Sequence, residues 1–307
     1  MTLAFIFPGQ GSQSVGMQAE LAAAFPEVEK TYAQASERLG FDLWDLVQNG
    51  PLEKLNETTV TQPAMLTAGI AAWNCWIAAG GEKPSQMAGH SLGEYTALVV
   101  ADALRFDDAV LLVRRRAELM QEAVPAGSGA MAAILGLDDD VVCSVCAEAA
   151  QGEVVSAVNF NSPGQVVIAG ATTAVERAAE GAKEAGARRA LMLNVSVPSH
   201  CALMKPAAEK LSAAFAEIDF NTPAIPVINN VDATPYKDVD DIRDGLTRQM
   251  YSPVRWVDSV QQMVAGGASQ LIECGPGKVL TGLAKRIDRS LPTICIESPE
   301  SITKAKG

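Results

Sequence analysis

Apolar residues along this chain fall into short bursts punctuated by glycine and proline, and the bursts switch between strand and helix periods. Leu3-Ala4-Phe5-Ile6-Phe7 is a continuous apolar run closed by Pro8, as expected of a strand buried on both faces. Helical periods follow over Met17–Ala24, Pro26–Leu39, Trp44–Asn49 and Pro51–Asn56. The longest apolar stretch, Ala64–Ala79, is interrupted by Thr67, Gly69 and Asn74, which predicts a buried core helix rather than a membrane span. A short strand over Ser85–Ala88 leads into a helix over Leu92–Leu104, and another helix covers Asp107–Ala123. Strand, turn and helix in alternation predict a parallel sheet covered on both faces.

From Gly129 to Val195 the order changes. Ala130–Leu135, Val154–Asn159, Gln165–Ala169 and Arg188–Asn194 read as strands, with helices over Asp138–Ala150 and Thr172–Ala185. That order, βαββαβ, is the ferredoxin-like unit. It predicts an inserted subdomain at 129–195 within a large α/β domain made of 1–128 and 196–307. The large domain resumes with helices over Ala202–Ile218, Ile242–Met250 and Val254–Ala265 and strands at Pro226–Asn229 and Leu271–Cys274. Gly275-Pro276-Gly277 turns into a helix over Lys278–Ile287, Pro292–Ile296 is a last strand, and the tail from Glu297 reads as loosely ordered.

The chain has 307 residues, enough for one large core with a smaller insert. Its net charge of −12 argues against nucleic acid and anionic membrane surfaces as partners. Cys143 and Cys146 form a C-x-x-C on a predicted helix without further ligands, so two buried or half-buried thiols are expected, not a zinc site. The six cysteines fit a reduced, cytoplasmic protein, and the N-terminal run is a strand rather than the apolar region of a signal peptide.

Gly89-His90-Ser91-Leu92-Gly93 is the segment that points to chemistry. A G-x-S-x-G pattern turns a strand sharply into a helix and leaves the serine hydroxyl exposed at the tip. A serine nucleophile needs a base within hydrogen-bond reach, and the chain has only two histidines. His90 adjoins Ser91, and neighbours on such a turn point apart; His200 lies on a loop leaving the insert. A histidine base predicts a titration near the ordinary imidazole value. No carboxylate stands out as its orienting partner: Glu94 follows the turn and Asp232 lies in a loop, and a backbone or amide carbonyl serves equally well. Gly9-Gln10-Gly11, after the first strand, allows N–H groups to face a developing oxyanion.

Arg114-Arg115-Arg116 interrupts an amphipathic helix. Arg114 has Glu118 four residues on, and Arg115 points to solvent. Arg116 has only Leu112, Val113, Leu119 and Met120 as helical neighbours, so its anion is either a distant carboxylate or a substrate carboxylate.

Taken together, these segments resemble the malonyl-CoA:acyl carrier protein transacylases of bacterial type II fatty acid synthesis. The resemblance runs through Phe7-Pro8-Gly9-Gln10-Gly11-Ser12-Gln13, Gly89-His90-Ser91-Leu92-Gly93-Glu94, Gln121-Glu122-Ala123-Val124-Pro125 and Asn159-Phe160-Asn161-Ser162-Pro163-Gly164-Gln165. It continues in Val197-Pro198-Ser199-His200, Asn229-Asn230-Val231-Asp232 and Gly275-Pro276-Gly277. It implies an α/β-hydrolase-like core with a ferredoxin-like insert, Ser91 as nucleophile and His200 as base. It further implies an oxyanion hole from the N–H groups of Gln10 and Leu92, Arg116 on the malonyl carboxylate, and the Gln249 main-chain carbonyl orienting the histidine. The implied partners are malonyl-CoA and acyl carrier protein, with no cofactor, metal, membrane or nucleic acid, and a monomer in the cytoplasm. A serine esterase or thioesterase is the alternative; it favours a third carboxylate and an H-G-G-G-type segment, neither of which is apparent.

Overall fold

The structure, a computed structural model, describes residues 2–195 and 197–307. Ser196, the first residue after the insert as read from sequence, lies outside them. Nine strands form two sheets among the described residues. In the first, β1 (Leu3–Phe7), β2 (Gln86–Gly89), β7 (Val227–Ile228), β8 (Gln270–Cys274) and β9 (Thr293–Ile296) run parallel in the order β7-β2-β1-β8-β9.

Alternation along β1 explains why this sheet is covered on both sides. Phe5 and Phe7 join one core with Met87, Ile272 and Trp76, while Ala4 and Ile6 join another with Ala88, Ile228 and Trp256. Successive strand residues point to opposite faces, so a run with no polar member needs helices above and below. The helix Thr58–Ala78 lies in the first core and is buried almost throughout its first fifteen residues. Among the described residues, no helix is long and apolar enough to cross a membrane.

The second sheet is antiparallel: β3 (Gly129–Leu135), β4 (Val155–Ser162), β5 (Gln165–Ala171) and β6 (Arg189–Met192), in the order β4-β5-β3-β6. The helices Asp139–Ala150 and Thr172–Glu184 cover one face through Ile134, Val166, Ile168, Val142 and Val175. The other face packs Met131, Val158, Val167 and Ala169 against Cys201, next to His200. Backbone bonds between Val254 and β4 (Phe160 N–H to Val254 O, 3.0 Å; Val254 N–H to Val158 O, 2.8 Å) tie this sheet to the main body. The molecule is thus an α/β-hydrolase-like core with a parallel sheet plus a ferredoxin-like βαββαβ unit.

Several elements differ from the sequence reading. The tail is not loose: Pro299–Lys306 is a helix with a reciprocal Ser298–Ser301 capping box, and it buries Ile302 and Ala305. The stretch expected to be one helix over Ala202–Ile218 is broken, with an α-helix only over Lys205–Ala214 between two 3₁₀ turns. The helix after Ser91 stops at Val100, where Asp102 adopts a left-handed φ of 59°. Cys143 is exposed rather than buried, because it falls on the solvent side of Asp139–Ala150 while Cys146 faces the core.

Candidate active site

β2 ends at Gly89 and the helix Gly93–Val100 begins four residues later. Both glycines are required by close approach. A Cβ on Gly89 would lie 1.8 Å from the Gly93 carbonyl carbon, and one on Gly93 would lie 2.0 Å from the Phe7 carbonyl oxygen. The turn forces Ser91 to a positive φ of 50°, a conformation that side-chain-bearing residues hold only where neighbours over-determine it. Here the Ser91 N–H donates to the Asn230 side-chain oxygen at 2.7 Å.

Ser91 Oγ lies 2.8 Å from His200 Nε2. His200 Nδ1 lies 2.7 Å from the Gln249 carbonyl oxygen, which can only accept, so Nδ1 carries the proton and Nε2 presents its lone pair to the serine. His200 is itself in a left-handed conformation (φ 66°), held by its N–H on Met250 O at 3.1 Å. Burial pushes its imidazole down to about 3, and the Arg116 cation adds to the push; the Gln249 carbonyl opposes it. A titration near the ordinary histidine value, expected from sequence, does not fit this environment.

Arg116 is 1% exposed on the helix Phe106–Ala123. Its Nη1 donates to Gln62 Oε1 (2.9 Å), and its Nη2 donates to Ser91 Oγ (3.2 Å) and Gln249 Oε1 (3.1 Å). Tyr95 lies under the guanidinium at 5.5 Å. Among the described residues no carboxylate forms an ion pair with it, whereas Arg114 pairs with Glu118 at 3.2 Å and Arg115 with Glu118 and Glu122. A buried cation whose hydrogen-bond partners are neutral oxygens can receive an anion.

The remaining candidates sit around this centre. Gly9 lies so close under the turn that a Cβ there would meet His90 O at 2.6 Å, with Leu92 N at 3.8 Å. Among the described residues neither the Gln10 nor the Leu92 N–H donates to a backbone acceptor. Gln10 also accepts from Gln62 Nε2 at 3.3 Å. His90 points away from Ser91, bonding Asn161 at 2.8 Å and packing on Trp256. The two carboxylates considered as orienting acids are engaged elsewhere. Glu94 accepts from Tyr236 and from the Asn230 N–H, and Asp232 pairs with Arg248.

The profile of the acyl transferase domain family matches residues 4–293. A malonyl CoA-acyl carrier protein transacylase of Escherichia coli (strain K12) is 59% identical over 302 residues, covering 98% of either chain. The chain belongs to this transacylase family. An acyl carrier protein S-malonyltransferase structure from Vibrio cholerae O1 is 58% identical, with a TM-score of 0.97 over 100% of both chains. A malonyl-transacylase solved in complex with a type II PKS acyl-carrier protein is 55% identical, with a TM-score of 0.98, covering 100% of this chain and 99% of that one.

Sequence reasoning gave no role to three side chains of this site. Gln62, which holds Arg116, is a fully buried amide beside Pro63 in a helix whose longest run is apolar, and that mismatch was the available signal. Asn230 had only its place in the Asn229-Asn230-Val231-Asp232 segment of the resemblance, which gave its side chain no task. The Gln249 side chain was also missed: it grips Arg116 through Oε1 and Ser91 O through Nε2 (3.0 Å) while its carbonyl holds His200.

Proposed function

We propose that this chain transfers the malonyl group of malonyl-CoA to the phosphopantetheine thiol of acyl carrier protein through a malonyl ester on Ser91. The observation that carries the reading is the single oxygen Ser91 Oγ, placed 2.8 Å from a neutral imidazole nitrogen and 3.2 Å from an unpaired guanidinium. A hydroxyl beside a base does acyl transfer; a cation next to that hydroxyl selects an acyl group that ends in a carboxylate.

In the first half-reaction Ser91 Oγ attacks the thioester carbonyl carbon and His200 Nε2 takes its proton. The oxyanion is met by the N–H groups of Gln10 and Leu92. The C–S bond breaks and the CoA sulfur leaves with the proton from His200. In the second, the carrier thiol gives its proton to His200, attacks the ester carbon, and Ser91 Oγ recovers the proton as the C–O bond breaks. Arg116 binds the malonyl carboxylate in place of its contacts to Gln62 and Gln249. His200 moves the protons and the two N–H groups meet the oxyanion, so this reading calls on neither cofactor nor metal.

Residues 129–195 act in this reading as an inserted subdomain walling one side of the site, with 1–128 and 196–307 as the catalytic domain; their separate apolar clusters support the division. The reading includes a monomer in the cytoplasm, without membrane or nucleic acid partners, which the net charge of −12 supports. The test is intact mass spectrometry after incubation with malonyl-CoA. A malonyl adduct on the wild type, absent in Ser91→Ala and discharged onto added holo carrier protein, is the expected result. An adduct retained in Ser91→Ala, or discharge to free malonate only, overturns it.

A further inference from the structure

Behind the reacting face of Ser91 lies a chain of buried hydrogen bonds that the acyl-transfer steps do not use. Glu94 and Asn230 are both 0% exposed. One Glu94 oxygen accepts from the Tyr236 hydroxyl, and the other accepts the Asn230 N–H at 2.8 Å. The Asn230 side chain then spans the turn: its Oδ1 accepts the Ser91 N–H at 2.7 Å and its Nδ2 donates to Gly89 O at 2.7 Å. We propose that Glu94 and Asn230 are positioning residues that hold the Ser91 turn in its reactive geometry, Glu94 acting through Asn230.

Three observations converge on this role. First, Ser91 sits at φ 50°, so the turn needs outside support to persist. Asn230 supplies it by bonding the groups on either side of His90, which fixes where Oγ points. Second, occupying the Ser91 N–H removes it from competition for the oxyanion and leaves the Leu92 N–H as the donor next to the nucleophile. Third, burial pushes the Glu94 carboxyl up to about 7 against the opposing pull of the Arg116 cation, and a group kept at that cost needs a reason. One of its oxygens holds the Asn230 N–H and the other the Tyr236 hydroxyl further along the same segment, so Glu94 ties down the stretch that carries Asn230.

The inference rests on Ser91 being the nucleophile, and its test separates the two claims. The readout is the single-turnover rate of adduct formation with malonyl-CoA, per folded molecule as counted by near-UV circular dichroism, together with the malonyl-CoA concentration at half-maximal rate. Displacements of about an ångström at a reacting group cost on the order of 100-fold. Asn230→Ala and Glu94→Ala should each lower the rate about 10- to 100-fold, with half-saturation shifted less than about threefold. The double variant should be no slower than Asn230→Ala alone, because one residue acts through the other. Glu94→Gln, which keeps an acceptor for the Asn230 N–H, should recover most of the rate lost in Glu94→Ala. If an alanine variant fails to fold, Asn230→Ser, too short to span both partners, and Glu94→Gln carry the same comparison. Wild-type rates in the Asn230 variants, multiplying effects in the double variant, or a Glu94→Gln rate as low as that of Glu94→Ala would overturn the proposal. An adduct retained in Ser91→Ala would instead overturn the nucleophile, independently of these variants.

Discussion

Arg116 Nη2 sits 3.2 Å from the Ser91 hydroxyl and 3.1 Å from the Gln249 side-chain oxygen, so one guanidinium edge touches both the serine and the residue whose carbonyl holds His200. On the proposed reading, that position makes Arg116 the residue that selects the acyl group. A charge-assisted bond is worth roughly 1.5–3 kcal/mol, so Arg116→Ala should lower malonyl transfer on the order of 10- to 100-fold or more. Acetyl transfer should stay level or rise, because acetyl has no carboxylate and the variant removes an unpaired charge. Lysine lacks the planar fork and should rescue poorly. The measurement is the ratio of malonyl to acetyl kcat/KM in Arg116→Ala beside Arg114→Ala. A shift in the Arg114 variant alone would reverse the assignment.

His200 makes a second prediction through pH. Burial and the Arg116 cation push its imidazole down to about 3, so it remains a free base from neutral pH to well below its ordinary 6.5. The acylation rate should therefore show no histidine-like loss as pH falls through 6.5. An inflection centred there that persists in Glu94→Gln would show that the free enzyme protonates His200 readily; one that vanishes in that variant belongs to Glu94. Stability carries the same sign. Below 6.5 the unfolded chain binds a proton that the folded chain refuses, so this contribution is full above 6.5 and is lost as pH falls toward about 3. Glu94 is pushed up to about 7 by burial and acts in the opposite sense, losing stability as pH rises through its folded value. Comparing denaturant midpoints of wild type and His200→Gln at two pH values isolates the histidine: the variant should fall less on acidification.

These features were unevenly legible in the sequence. The apolar run of β1 and the βαββαβ rhythm are local patterns, so both sheets could be read from periodicity. Arg116 was distinguishable from its two neighbours because helix spacing alone shows which arginine lacks a carboxylate. Asn230 and the Gln249 side chain were not, since their partners lie 139 and 133 residues away and only tertiary packing creates the contacts. The break in Ala202–Ile218 escaped for a related reason: the alanine-rich sequence favours helix throughout, and only packing sets where the α-helix ends.

The C-terminal helix yields a stability prediction. Ser298 caps it, Pro299 suits its first position, and Ile302 and Ala305 are buried against the main core. Fully burying an isoleucine-sized side chain contributes roughly 1.5–3 kcal/mol, and the cap about 1 kcal/mol. Truncation after Glu297 should therefore lower the melting temperature by several degrees while leaving the catalytic contacts unaltered. A truncated chain that melts with the wild type would mean the helix is not docked in solution.

Gly89 offers a sharper test. A Cβ there would collide at 1.8 Å with backbone carbon and at 2.2 Å with the Glu94 nitrogen, atoms that cannot step aside without moving the helix Gly93–Val100. Gly89→Ala should give insoluble or unfolded protein. Gly282→Ala, where a Cβ meets nothing within 4 Å, is the control and should fold normally. Equal solubility of the two would contradict the packing of the turn.

Carrier docking should depend on charge despite the acidic balance of the chain. Arg188 and Arg189 are exposed at the start of β6, and Leu135 is paired with both Arg189 and Gln165, which in turn bonds Arg286. Three arginines thus gather at one end of the small sheet, and among the described residues none forms an ion pair with a carboxylate. Lys285 precedes Arg286 on the same helix, whereas Lys205 stacks on Tyr251. An acidic carrier meeting this cluster is attracted over about 10 Å at 0.1 M salt, and less as salt rises. The carrier half-reaction should slow with added salt while formation of the malonyl adduct changes less. Charge reversal at Arg189 or Arg286 should raise the carrier KM several-fold and flatten the salt dependence, with Lys304→Glu, on the C-terminal helix, as control. Carrier kinetics that ignore both salt and these substitutions would rule out this cluster as the dock.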